Sequence, residues 1–324
     1  GTSMGSIIGG LYAMGYDAKT MEEQVANIDW TDILSQQPNP KTEPIQNWEM
    51  YTRYLLKLPI TKKGITLPSG FSNGSKVYQL LCNLSEDYHD VSDFNQLPRK
   101  YYCIAADYYT GDEVMINSGF LPDAMRASMS IPSFFTPIRI GDKVLIDGGW
   151  VNNFPVERMK QNYEVDFIIG VDFPQIEINP DADLNMLDVL MQSGSYVNTR
   201  YNETNRKLCN VLIVPELGDI SSADFEMADT IVIIGEQTAR KQLDRLRFLA
   251  DSLQIEQRVF KNPLPVGTRK FTKLTIETPK GRIDSKDEKK LNDFFSGEVD
   301  PKNYMELATY LYGTGDFDAI SYRI

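Results

Sequence analysis

Gly1-Thr2-Ser3-Met4-Gly5 opens the chain and runs straight into Ser6-Ile7-Ile8-Gly9-Gly10-Leu11-Tyr12-Ala13-Met14-Gly15. The first five residues fit G-x-S-x-G, and the apolar run behind them reads as a helix. In that pattern the serine sits on a sharp strand-to-helix turn, a nucleophile elbow. Glycines beside it tolerate strained backbone angles and let neighbouring segments come close. The hydroxyl then stands at a helix N-terminus, whose dipole favours developing negative charge. Ser3 is therefore the candidate nucleophile. Gly1 and Gly5 shape the elbow, and the Met4 amide is the candidate oxyanion donor. The pattern is short, and a glycine-rich helix start that packs tightly would read the same way.

A serine nucleophile needs a base, commonly a His oriented by a carboxylate. The chain has one His, His89, in Ser85-Glu86-Asp87-Tyr88-His89-Asp90. That stretch is polar and acidic and reads as a surface or a helix end, which leaves a carboxylate as the base. Asp147 is the best candidate, in Val144-Leu145-Ile146-Asp147-Gly148-Gly149-Trp150. An apolar strand delivers the carboxylate, and Gly148 and Gly149 allow a tight site turn with close backbone approach. A carboxylate at its ordinary pKa is a poor base at neutral pH unless burial raises it. Taken without Ser3, Asp-Gly-Gly reads as a strand-ending turn.

The two motifs in this order, with a single His outside them, resemble the patatin-like phospholipase family. Two intervening stretches carry the likeness further: Cys103-Ile104-Ala105-Ala106-Asp107-Tyr108-Tyr109-Thr110-Gly111, and Ala124-Met125-Arg126-Ala127-Ser128-Met129-Ser130-Ile131-Pro132, which continues to Pro137. Asn152-Asn153-Phe154-Pro155 then completes a D-G-G-x-x-N-N-x-P run. The resemblance covers roughly residues 1–262. It implies a three-layer α/β/α sandwich with a mainly parallel central sheet, and a Ser3–Asp147 dyad that cleaves lipid acyl esters. It implies no cofactor and no metal. The family also carries a glycine-rich loop, G-G-x-[RK]-G, before the elbow, and that loop forms most of its oxyanion hole. Nothing in residues 1–324 matches it, so the expectation is an N-terminally truncated hydrolase, weakly active or inactive as it stands.

Charge narrows the partners. With 33 Lys and Arg against 45 Asp and Glu, the net charge of −12 argues against nucleic-acid backbones. It also gives little long-range attraction to an anionic membrane, which leaves apolar insertion as the route to a lipid surface. No apolar run reaches the length of a membrane helix. Cys82, Cys103 and Cys209 lie far apart, form no metal-binding pattern and read as small buried residues. Residues 264–324 carry basic and acidic groups in equal number, so the acidic excess lies before them and marks a boundary near residue 263.

Along the chain, Gly15 reads as a helix stop and Asp17 as the cap of a second helix, with Met21, Val25 and Ile28 on one face and an end near Trp30. Residues 31–75, rich in Pro, Gly and aromatics, read as a covering segment, either a lid or an ordinary packed insertion. A helix over 75–84, a buried strand over 101–106, a strand over 113–117 and a short helix over 123–129 follow. Residues 137–140 and 143–146 read as a hairpin over Gly141-Asp142. Residues 165–171 read as a buried parallel strand, 184–208 as a long helix, 211–214 as a short strand, and 225–253 as helical.

Pro263-Leu264-Pro265 reads as a linker between a domain at 1–262 and one at 263–324. The latter reads as β-α-α-β: a strand over 271–277, helices over 285–295 and 301–312, and a strand over 317–324. This small α+β unit resembles a POTRA domain. A hydrolase followed by a POTRA unit resembles the patatin-type autotransporters of Gram-negative bacteria. That implies a C-terminal outer-membrane barrel absent from this sequence and a place at the outer membrane, the cell surface or outside the cell. Cysteine usage alone points to the cytoplasm. Two other readings stand beside the lipid hydrolase: a non-catalytic assembly module, and an esterase for non-lipid acyl groups.

Overall fold

In the computed structural model the described residues are 1–34, 70–173, 202–218, 220 and 224–253, with short pieces at 60–61, 64–65, 269–270, 289, 291, 298–299 and 307. The chain enters as an extended segment. Thr2 forms a parallel bridge with Ile104, and the Ile104 N–H donates to the Gly1 carbonyl at 3.1 Å. Backbone direction reverses at Ser3 into helix α1 (Met4–Met14). Gly15 ends α1 at φ 108, its N–H and that of Tyr16 returning to Tyr12 and Leu11. Such a left-handed cap suits a residue without a Cβ. Asp17 then caps α2 (Ala18–Ala26) by accepting from the Thr20 N–H at 2.8 Å. Both caps are as the sequence predicts. The second helix, however, stops at Ala26, and a new turn, α3 (Trp30–Leu34), begins where Asp29 accepts from the Asp32 N–H.

Strands β1 (Ile60–Thr61) and β2 (Gly64–Ile65) pair antiparallel, and β3 (Gly70–Ser72) leads into helix α4 (Ser75–Leu84). The other residues of the predicted covering segment after Leu34 lie outside the described part. Strand β4 (Cys103–Asp107) is buried along its whole length and pairs with β5 (Glu113–Ile116). Helix α5 (Leu121–Ser128) follows, with Pro122 in its first turn. Strand β6 (Ser133–Phe135) runs parallel to β3. Strands β7 (Ile138–Ile140) and β8 (Lys143–Asp147) form the predicted hairpin, with Gly141 at φ 61 in its turn.

The four-stranded sheet has the order β5-β4-β8-β7 and is antiparallel throughout. A mainly parallel sheet was expected, and the described residues correct it. The connections within β4–β5 and β7–β8 are too short for the crossover that a parallel pair needs, so each pair closes as a hairpin. Parallel pairing appears at the Thr2–Ile104 bridge, in β3–β6, and between β9 (Ile169–Val171) and β10 (Val211–Ile213). The expected buried strand over 165–171 is shorter than predicted and half open: Ile169 is 56% and Val171 52% exposed, with Gly170 turned inward.

Helix α5 lies on the sheet against β4, β7 and β8, with α1 and α4 packed against it. Between them sits the main core, which includes Leu11, Met14, Leu81, Ala105, Met125 and Leu145. Helices α1, α4 and α5 thus form a helical layer on the sheet. A smaller cluster of Phe154, Val156 and Ile168 joins α6 (Val156–Asn162) to the foot of β9. Most of the predicted 184–208 helix lies outside the described residues, and 202–208 are helical. The pattern over 225–253 divides into a 3-10 turn (Phe225–Met227), α7 (Ala228–Arg240) and α8 (Leu243–Ser252). Within residues 263–324, Arg269–Lys270 pair antiparallel with Glu298–Val299, and Leu291 is helical and buried. This strand pair falls outside the predicted strands at 271–277 and 317–324, which lie outside the described residues.

Candidate active site

Ser3 has φ 53 and ψ −127, a conformation that costs an L residue on the order of 1–3 kcal/mol. Hydrogen bonds on both sides hold it there. Upstream, the Thr2 hydroxyl donates to the Asn152 carbonyl at 2.8 Å. Downstream, the N–H and the hydroxyl of Ser6 both donate to the Ser3 carbonyl, at 2.8 and 2.6 Å. The elbow also needs Gly1. A Cβ there would lie 2.3 Å from the Gly5 carbonyl oxygen. Gly5 differs from the expectation: a Cβ there meets nothing within 4 Å, because the residue already lies on the outer side of α1.

Asp147 ends β8, paired with Ala105, and is only 3% exposed. The Ser3 hydroxyl donates to its Oδ2 at 2.6 Å, joining groups 144 positions apart. The Gly149 N–H donates to its Oδ1 at 2.6 Å, and its own N–H donates to the Ser130 carbonyl at 2.9 Å. Burial pushes the Asp147 carboxyl up to about 6, against the opposing hydrogen bonds from Ser3 and Gly149. The group is thus mainly ionised at neutral pH, yet far more basic than an exposed carboxylate. Gly148 lets the turn close: a Cβ there would lie 2.2 Å from the Ile104 carbonyl oxygen. The sheet therefore brings together the residues that the two motifs singled out: Ser3, Asp147, Gly1, Gly148 and Gly149. The Met4 amide begins α1 directly after the nucleophile, where helix N–H groups have no partner within the helix.

His89 takes no part. It is buried rather than on the surface, at the end of a 3-10 turn. Its Nε2 lies 3.0 Å from the Cys82 carbonyl, and its ring packs edge-on against Phe120. Phe120, 31 positions on, packs against the ring, so its polar sequence neighbours misstate its surroundings. Cys82 and Cys103 are buried and Cys209 half-buried, all as free thiols. Among the described residues no group of three or more His, Cys, Asp or Glu is arranged to hold a metal.

Sequence reading assigned no role to Ser128 or Ser130, both fully buried beside the dyad. The Ser3 N–H donates to the Ser128 hydroxyl oxygen at 3.0 Å, and that hydroxyl donates to the Ile104 carbonyl at 2.6 Å. Arg126, 1% exposed, donates to the Ser130 hydroxyl at 2.7 Å and stacks over Phe135. The available signal was polar residues recurring in an otherwise apolar run, Ala124 to Pro132.

Residues 1–160 match the family model for patatin-like phospholipase. An uncharacterised NTE family protein of Mycobacterium tuberculosis is 34% identical over 95 residues, covering 29% of this chain and 16% of that protein. Lysophospholipase NTE1 of Debaryomyces hansenii is 24% identical over 277 residues, covering 76% of this chain and 16% of its own length. Lysophospholipase NTE1 of Candida albicans is 28% identical over 184 residues, which is 55% of this chain and 11% of that protein. The chain thus spans a small fraction of the length of these relatives. Over the stretch that holds the elbow, the sheet and the Asp147 turn, residues 1–160, this chain matches the patatin-like phospholipase family.

Proposed function

We propose that the chain is a serine hydrolase of lipid acyl esters, of the phospholipase A or lysophospholipase type. The observation that carries this is the Ser3 hydroxyl bonded at 2.6 Å to a buried carboxylate at a strained elbow. Ser3 Oγ attacks the acyl carbonyl carbon as its proton passes to Asp147 Oδ2. The tetrahedral oxyanion faces the N-terminus of α1 and the Met4 N–H. Collapse expels the alcohol, which takes the proton from Asp147 and leaves an acyl-Ser3 ester. Asp147 then deprotonates a water that attacks this ester, releasing the fatty acid and restoring Ser3. The names of the fungal relatives, lysophospholipases, support a lipid with one acyl chain as substrate.

A fluorescent phosphonate, which reacts covalently with activated serines, tests the reading. Labelling at Ser3, lost in Ser3→Ala and Asp147→Asn, followed by fatty-acid release from lysophosphatidylcholine, supports it. A folded chain that takes no label refutes it and leaves the assembly-module reading in its place. Labelling with release from short non-lipid esters alone moves the substrate class to the esterase reading.

The sequence pattern over 263–324 supports a POTRA-like unit that links the hydrolase to an outer-membrane barrel, with the enzyme acting at a membrane surface outside the cytoplasm of a Gram-negative cell. Fractionation of the source cells tests this placement. Recovery in the cytoplasm overturns it without touching the hydrolase reading.

A further inference from the structure

The strained conformation at Ser3 has to be held, and its own amide shows by what. The Ser3 N–H points to the Ser128 hydroxyl at 3.0 Å, and the Ser128 hydroxyl points on to the Ile104 carbonyl at 2.6 Å. A hydroxyl has one proton to give. The Ile104 carbonyl can only accept, so the Ser128 proton goes there and its oxygen is left to accept from Ser3. The direction of the relay is therefore fixed: Ser3 N–H to Ser128 Oγ, Ser128 O–H to Ile104 C=O. Ser128 is 0% exposed, so no solvent stands ready to replace it.

The same short segment grips the other half of the dyad. Two residues on, the Ser130 carbonyl accepts the Asp147 N–H at 2.9 Å. Arg126 Nη1 donates to the Ser130 hydroxyl at 2.7 Å, and that hydroxyl donates back to the Arg126 carbonyl at 2.8 Å. The end of α5 is thus fastened to the backbone of both Ser3 and Asp147. It also engages the Ser3 N–H, which leaves the Met4 N–H as the elbow amide free to meet an oxyanion.

We infer that Ser128 is a positioning residue for the nucleophile: its hydroxyl holds the Ser3 backbone in the positive-φ conformer that keeps Ser3 Oγ on Asp147. This deepens the hydrolase reading and rests on it. Without the hydroxyl the Ser3 N–H loses its 3.0 Å acceptor in a buried place, and relaxing the elbow is the way for Ser3 to relieve this. Ser3 Oγ then leaves Asp147. Its hydrogen bond is one of the two that oppose the burial-driven rise of the Asp147 carboxyl. Burial, Ser3 and Gly149 are what set that group's proton affinity, with no charged side chain contributing. Releasing Ser3 therefore raises it further.

The test compares the phosphonate labelling rate and the steady-state kinetics of wild type, Ser128→Ala and Ser128→Thr across pH 4.5–8.5, with circular dichroism as the check on folding. Labelling of the wild type at Ser3 comes first, because its absence sinks the hydrolase reading itself and not this inference alone. Given that labelling, Ser128→Ala should lose about ten- to a hundredfold in kcat with KM within about twofold. Its acid limb should move to higher pH, while Ser128→Thr, which keeps the hydroxyl, should return both to near wild type. A general loosening of the fold would lower kcat at every pH without moving the limb. An unmoved limb, or wild-type kcat in a folded Ser128→Ala, overturns the inference. If Ser128→Ala does not fold, Ser128→Cys takes its place, with a weaker donor and an intermediate shift expected. An unshifted limb in that variant overturns the inference equally.

Discussion

The two glycine-flanked turns of the site hold their functional groups in opposite ways. At the elbow the backbone is under strain, with Ser3 at φ 53, while its hydroxyl makes a good 2.6 Å bond. At the Asp147 turn the backbone is ordinary, φ −51 and ψ 132, but the side chain is a carboxylate buried where its charge is unfavourable. One half of the dyad is prepared by backbone conformation and the other by desolvation. Their glycines differ accordingly. Gly148 is required by contact, because the Ile104 carbonyl occupies the space of a Cβ, whereas Gly5 borders open space. A pattern such as G-x-S-x-G thus joins positions with steric reasons to positions without them.

The largest effect should come from removing the bond between the two turns. Ser3→Ala should lower ester hydrolysis by about a thousandfold or more while the far-ultraviolet spectrum is unchanged, as read from fatty-acid release. Retained turnover would move the nucleophile elsewhere. Next, Gly148→Ala forces the turn away from β4, and should destabilise the fold by about 3 kcal/mol in urea titration. A shift under about 1 kcal/mol would mean that Ile104 and Thr2 give way easily.

Asp147→Asn separates stability from activity. The Asp147 carboxyl titrates near 6 in the fold against 3.8 unfolded. The native state thus holds the proton more tightly. The stability contribution of the protonated acid is fully present below about pH 4 and is lost as pH rises through about 6. At neutral pH the ionised group lowers stability by roughly 3 kcal/mol. Asp147→Asn should therefore abolish turnover and raise the pH 7 melting temperature, with the gain vanishing near pH 4. A lower melting temperature at pH 7 would show that the carboxylate is better solvated than its burial implies.

The same ionisation governs activity with the opposite sign, since the base works as the carboxylate. Turnover should fall roughly tenfold from pH 7 to pH 5. A flat profile would break the contrast between a desolvated base and a strained nucleophile. The smallest effect is expected at Gly5→Ala. In open space on a helix, Ala is favoured over Gly by about 1 kcal/mol, so a thermal melt should rise slightly or stay put. A marked fall would give Gly5 a steric role that its surroundings do not show.

Much of the site was legible because its chemistry is written in adjacent residues. Ser3 between glycines, Asp147 at the end of an apolar strand, and the caps at Gly15 and Asp17 each depend on a few consecutive positions. The hairpin from Ile138 to Asp147 was legible for the same reason. What escaped were quantities set by distant partners. The family resemblance implies a mainly parallel sheet, but short links close β4–β5 and β7–β8 as antiparallel hairpins. His89 lies among acidic neighbours, yet Phe120 and the Cys82 carbonyl enclose it. Ser128 reads as one small residue in a helix, and its role exists only because Ser3 and Ile104 meet there.

By itself, then, the sequence determined which groups carry the chemistry and what kind of turn presents each, because turns, caps and strand ends follow from neighbouring residues. Only the tertiary structure decided that Ser3 and Asp147 touch, since that contact spans 144 positions and runs through the shared pairing of Thr2 and Asp147 with β4. It alone also decided how basic Asp147 is, because the proton affinity of a carboxyl is set by the water that folding takes away from it.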